Sequence, residues 1–131
     1  MQKMILLIDD DQEEFHILNH ALQVAGLPHS CVWASGTERA AQLLCEVLPD
    51  YIFVDYNMPK ENGLACLEKI RKIKAIQDVP VVFYSNSIDE TTRLQALERG
   101  ASFCMEKPNS FSKLVDNLID IMGDGKLLHS C

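Results

Sequence analysis

Asp9, Asp10, Asp55, Ser85 and Lys107 are the residues of this chain whose types could do chemistry together. Each closes or follows a short apolar run. The acids follow MILLI (4–8) and YIFV (51–54), the serine follows VPVVFY (79–84), and the lysine lies just beyond ASFCM (101–105). Three carboxylates at one place repel one another, and a buried unpaired carboxylate is expensive. A cation must therefore belong to the site. All-oxygen ligation selects a hard ion, and Mg²⁺ takes one or two direct carboxylates while keeping waters. Two acids would then contact the ion directly or through water, leaving the third free to react. A carboxylate can be a nucleophile toward phosphorus, provided the charge on the phosphoryl oxygens is neutralised by a metal on one side and donors on the other. Ser85 and Lys107 are suitable donors.

For these groups to meet, the apolar runs must be neighbouring parallel strands. CVWA (31–34) completes a set of five, and helical stripes lie between and after them. Phe15, Leu18, Leu22 and Ala25 form one stripe, and Ala40, Leu43, Leu44 and Val47 a second. Leu64, Leu67, Ile70 and Ile73 form a third, and Leu114, Val115, Leu118, Ile119 and Met122 the last. Segment 89–99 is weaker, with Leu94, Ala96 and Leu97. Strand and helix alternating five times imply an α/β chain with a parallel sheet covered on both faces. Strands buried on both faces read as unbroken apolar runs. Ligands of such sheets gather outside the carboxyl ends of the strands, where all five residues fall. Asp11…Glu14, Ser35…Glu38 and Ser87…Glu90 have capping-box spacing, and Gly26 and Gly100 stand where helix C-caps belong.

With 131 residues, 47% of them hydrophobic and 24% charged, the chain suits one domain with a core of its own. Nineteen acids against 12 Lys plus Arg give a net charge of -7, which argues against nucleic acid as a partner. The run Met4 to Ile8 is too short for a signal or membrane segment, so a cytoplasmic protein without a membrane partner is expected. Cys31, Cys45, Cys66, Cys104 and Cys131 are odd in number, widely spaced and free of a C-x-x-C pair. Reduced thiols fit this better than zinc or disulfides.

The chain resembles the receiver (response regulator) domain of bacterial two-component signalling over essentially its whole length. The likeness rests on the DD pair after an apolar first strand, D-Y-N-M-P-K-E-N-G (55–63), the Ser ending PVVFYS (80–85), and K-P (107–108). It implies a three-layer, doubly wound, flavodoxin-like (βα)5 fold with strand order 2-1-3-4-5. Residues 1–123 would be the receiver domain and 124–131 a short tail. By the same resemblance Asp55 would be the phosphoacceptor, and Asp9, Asp10, Asp55 and the backbone carbonyl of Asn57 would hold Mg²⁺. Ser85 would swing toward the phosphoryl group, Lys107 would pair with one of its oxygens, and the Lys107–Pro108 peptide would be cis. Met58, Pro59 and Gly63 match the family loop into the third helix. The family's aromatic residue three positions before the lysine is replaced by Cys104, and adjacent Phe103 should point to the opposite face. The expected function is that of a stand-alone receiver. It would take a phosphoryl group from a histidine kinase or phosphotransfer protein and signal by docking on a downstream protein or by onward transfer. Apart from promoting its own phosphorylation and dephosphorylation, it would not be an enzyme.

Other readings are weaker. Asp11 is better placed as a helix cap than as a third metal ligand. D-x-D-x-E at 9–13 has Glu14 where a calcium loop requires Gly. His16 and His20 have i, i+4 spacing but lack the Glu of a zincin motif, and solvent exposure is expected. A phosphorylation-independent adaptor would keep the fold, but it leaves the intact acid pair, Asp55, Ser85 and Lys107 without a purpose. A Mg²⁺-dependent phosphatase with an aspartyl nucleophile would need an acid two residues on, where Asn57 stands.

Overall fold

Alternate residues of β1 (Lys3–Ile8) enter two different cores. Ile5 and Leu7 pack with Leu18, Ala21 and Leu22 of α1 (Gln12–Val24) and with Leu114, Leu118 and Met122 of α5 (Phe111–Met122). Leu6 and Ile8 pack on the other side with Leu43 and Leu44 of α2 (Thr37–Leu44) and Leu64, Leu67 and Ile70 of α3 (Gly63–Ile70). This period of two, in a strand apolar on both faces, is what builds three layers. The computed structural model describes residues 2–123; segment 124–131, read from the sequence as a tail, lies outside the described residues.

The remaining strands are β2 (His29–Ala34), β3 (Tyr51–Asp55), β4 (Val81–Ser85) and β5 (Phe103–Glu106), with α4 (Glu90–Glu98) between the last two. All pairings are parallel, and the order is β2-β1-β3-β4-β5, as the resemblance implied. Two sequence runs are trimmed at the start. Val79 and Pro80 precede β4, and Ala101 and Ser102 precede β5, with Ser102 N–H donating to the Val81 carbonyl. β2 is an edge strand and mostly half-buried, so its apolar run is not covered on both faces. In α4 only Ala96 is buried, while Leu94 and Leu97 face outward, which explains the weak stripe.

The glycine caps hold and the two serine caps do not. Gly26 and Gly100 have φ of 73° and 111°, a region open to glycine at little steric cost. The α2 helix begins after Gly36 with no side-chain cap, so Ser35 is not its N-cap. Asp89, not Ser87, caps α4 by accepting from Thr92 N–H. In both places the turn after the strand is one or two residues longer than the spacing assumed. Asp11 does cap α1, accepting from Glu13 N–H.

Candidate functional site

Strand register brings the acids together. Ile8 lies opposite Val54 in the β1–β3 pair, so Asp9 and Asp55 leave the sheet side by side. Asp55 lies opposite Tyr84, which puts Ser85 one step further along β4. Ser85 lies opposite Glu106, and Lys107 N–H donates to the Ser85 carbonyl at 2.7 Å. One carboxylate oxygen from each of Asp9, Asp10 and Asp55 fall within 4.8 Å of one another. Asp9 and Asp55 are buried; Asp10 is exposed.

Lys107 is the local counter-charge. Its Nζ lies 2.9 Å from Asp55 Oδ1 and 3.6 Å from both Asp9 Oδ2 and Glu14 Oε1, beside the face of the Tyr84 ring. Burial pushes the Asp9 carboxyl up to about 6; the Asp11 N–H pulls it down, the Asp55 charge raises it again, and Lys107 opposes that. Burial also raises Asp55, against Lys107 and the Asn57 N–H, which favour its charged form. Burial alone would lower Lys107, but its contact with Asp55 reverses the sign and leaves it raised.

Three carboxylates converge here beside one ammonium. Asp9 Oδ1 accepts from Asp11 N–H at 2.9 Å, whereas Asp9 Oδ2 is buried without a hydrogen-bond partner. Asp55 Oδ1 has the Lys107 ammonium beside it at 2.9 Å. One buried carboxylate oxygen without a hydrogen-bond partner, Asp9 Oδ2, and a second that faces Lys107, Asp55 Oδ1, with an exposed third acid beside them, fit a hard divalent cation. The Asn57 N–H points toward Asp55, and its side chain is exposed. The Ser85 hydroxyl is buried and donates to the Ser87 carbonyl at 3.2 Å.

Three contacts were not foreseen. Glu14 does not cap α1: Asp11 N–H is taken by Asp9, and Glu14 turns to Lys107. Trp33 donates its indole N–H to the Asp9 carbonyl at 2.7 Å. Glu106 Oε1 accepts from Ile88 N–H, tying the β4–α4 loop to β5. None carries a short-range sequence signal, because each partner is set by the fold. The cis peptide at Lys107–Pro108 is corrected: every peptide bond among the described residues is trans. Trans is the lower-energy X-Pro isomer by about 0.5–1 kcal/mol, and Lys107 reaches both Asp55 and the Ser85 carbonyl without the change.

Cys104 and Phe103 point to opposite faces, as the strand period requires. Phe103 packs toward α1 and α5, while Cys104 packs toward α4 with Sγ 3.9 Å from the Arg93 carbonyl. His16 and His20 are exposed, His20 stacking on Phe111. Among the described residues, no helix is long and apolar enough to cross a membrane.

The family model for the response regulator receiver domain matches residues 5–119. The chain is 28% identical to the phosphate regulon transcriptional regulatory protein PhoB of Pseudomonas aeruginosa over 116 residues, 88% of this chain and 50% of PhoB. It is 32% identical to the transcriptional regulatory protein KdpE of Staphylococcus aureus, covering 87% of this chain and 47% of KdpE. The chain thus spans about half the length of the curated relatives it matches. Among solved structures, the phosphorylated cyanobacterial phytochrome response regulator RcpA superposes with a TM-score of 0.82 at 24% identity, covering 95% of this chain and 96% of RcpA. The Mn²⁺-bound form of response regulator Rcp1 gives 0.79 at 21% identity, with 93% of each chain covered. At these identities the superpositions establish the fold.

Proposed function

The chain belongs to the response regulator receiver domain family, and from that premise we propose that it accepts a phosphoryl group on Asp55 from a histidine kinase or phosphotransfer protein. The observation that carries this reading is the convergence beside Lys107 of Asp55 Oδ1 and of Asp9 Oδ2, which is buried without a hydrogen-bond partner. Asp9 and Asp10, with Asp55 and the Asn57 carbonyl, would hold Mg²⁺. Once bound, that ion supplies charge neutralisation for the phosphoryl oxygens.

An Asp55 carboxylate oxygen attacks phosphorus, and the bond from phosphorus to the donor's imidazole nitrogen breaks with its electron pair leaving on that nitrogen. Lys107 favours the ionised form of Asp55 against its burial and then pairs with a phosphoryl oxygen. The Ser85 hydroxyl exchanges the Ser87 carbonyl for the phosphoryl group, which moves the β4–α4 loop. The acyl phosphate is a local charge change read out by a distant packing change. Output is docking on a downstream protein or onward phosphoryl transfer by the receiver domain, residues 1–123, in the cytoplasm. The chemistry of this domain is its own phosphorylation and dephosphorylation.

Acetyl phosphate with Mg²⁺ should add one phosphoryl mass to the wild type and none to Asp55→Asn. Equal uptake by both proteins would sink the assignment of Asp55.

A further inference from the structure

The two peptide planes flanking Asp9 are both held from the edge strand β2. Asp9 N–H donates to the Ala34 carbonyl at 3.0 Å, continuing the β1–β2 ladder one residue past its last strand pair. The Asp9 carbonyl accepts the Trp33 indole N–H at 2.7 Å. That second plane sets the backbone torsions joining Asp9 to Asp10, and so the directions in which both acids leave the chain. Asp9 has a further anchor in the bond from Asp11 N–H to its Oδ1. Asp10 is exposed and makes no side-chain hydrogen bond among the described residues, so the peptide plane is what aims it.

We infer that Trp33 is a positioning residue for the divalent-cation site, acting through the Asp9–Asp10 peptide rather than by touching the ion. The inference rests on the reading of Asp9 and Asp10 as metal ligands. The indole is half-buried, with its ring 6.4 Å from that of Phe15 on α1, so strand and helix together fix where its N–H points. An edge strand that contributes no ligand thereby sets the ligand geometry. Trp33 is also the single tryptophan of the chain, and its N–H is a direct spectroscopic probe of that peptide.

The test is Mg²⁺ calorimetry on the wild type, Trp33→Phe, a variant carrying the benzothienyl isostere of tryptophan at position 33, and Phe15→Leu. The isostere keeps the ring shape and has no N–H. Trp33→Phe and the isostere should each bind Mg²⁺ roughly fivefold more weakly, the worth of one net hydrogen bond. Phe15→Leu, which perturbs the same packing but keeps the N–H, should stay within about twofold by that measure. In the wild type the indole N–H proton resonance should shift with Mg²⁺ at the calorimetric midpoint. An isostere variant with wild-type affinity, or Phe15→Leu weakened as much as Trp33→Phe, overturns the inference and leaves the metal site standing. A wild type that binds no Mg²⁺ overturns both.

Discussion

The Lys107 ammonium sits 2.9 Å from Oδ1 of Asp55, with Asp55 buried and the lysine side chain 10% exposed. In the metal-free protein this contact holds together a site that would otherwise contain two unpaired carboxylates. Breaking a buried ion pair from one side leaves an uncompensated charge, which typically costs about 3–5 kcal/mol. Lys107→Met keeps the alkyl stem and removes the charge. It should therefore destabilise the metal-free protein by about 3 kcal/mol on that scale at pH 7.5. Adding Asp55→Asn should recover most of the loss, because the two changes share one interaction. Urea denaturation of the two single variants and the double variant reads this directly. Strict additivity would contradict it.

The direction of the pH dependence follows from Asp9. Its folded pKa is raised to about 6 from the ordinary 3.8, so the folded state binds this proton more tightly than the unfolded state does. The stability gained on protonation is complete below about 4 and is lost as pH rises through about 6. Asp55 shifts the same way. Glu61, Asp89 and Glu90 are shifted down, so their opposing losses begin only at lower pH. With EDTA present, the melting temperature should rise between pH 7.5 and pH 5. Saturating Mg²⁺ should raise the melting temperature at pH 7.5 and lose that effect toward pH 5, as protons compete for the same oxygens. A flat metal-free profile over that range would refute the account.

The two acids of the DD pair should behave differently without metal. Asp9 is 1% exposed, while Asp10 lies at the surface. Asp9→Asn keeps an acceptor for Asp11 N–H and removes a buried charge, so it should stabilise the metal-free protein by about 1–3 kcal/mol. Asp10→Asn should change it by less than about 0.5 kcal/mol, as surface substitutions do. Both should lose most of the Mg²⁺-dependent gain in melting temperature. Equal metal-free stabilities for the two variants would show that burial does not separate them.

The site was legible in the sequence because its chemistry sits at strand ends. Asp9, Asp10, Asp55, Ser85 and Lys107 each stand at or just past an apolar run, and a parallel sheet leaves such ends on one edge. The opposed directions of Phe103 and Cys104 follow from a period of two. The helix starts at Gly36 and Asp89 were missed because a serine with a glutamate three residues on satisfies a local pattern without revealing how long the preceding turn is. Glu14 was assigned to a cap because its competitor for Asp11 N–H, the Asp9 carboxylate, belongs to the folded site rather than to the helix. Trp33 reaches Asp9 across 24 positions, and no spacing rule covers that.

Gly63 is where backbone meets backbone. It opens α3 directly behind Asp55, and its N–H donates to the Tyr56 carbonyl at 2.9 Å. A Cβ there would collide with the Asp55 carbonyl oxygen and lie 2.8 Å from Tyr56 Cα, and neither is the end of a flexible side chain. Gly63→Ala should therefore destabilise by about 2–3 kcal/mol, in the range of core overpacking, and slow phosphoryl uptake from acetyl phosphate. Gly36→Ala meets nothing within 4 Å and is the control, expected to melt within a few degrees of the wild type. Gly63→Ala melting with the control would disprove the close approach.

The loop after Ser85 is held from β5 by Glu106, whose Oε1 accepts Ile88 N–H at 3.0 Å, and from within by the bond from Ser85 Oγ to the Ser87 carbonyl. Cys104 stands where the family carries an aromatic ring, and its contact with α4 is a weak one at 3.9 Å. Glu106 is thus the firmer link between β5 and the segment that phosphorylation would move. Removing one exposed hydrogen bond changes a local opening equilibrium by about 1 kcal/mol, or roughly fivefold. Glu106→Ala should speed amide exchange at Ile88 by about that factor, while Glu106→Gln, which keeps an acceptor oxygen, should stay near the wild type. Exchange at Leu118, buried in the opposite core, should be unaffected in both. Unchanged protection of Ile88 in Glu106→Ala would show that the loop is held by Ser85 alone.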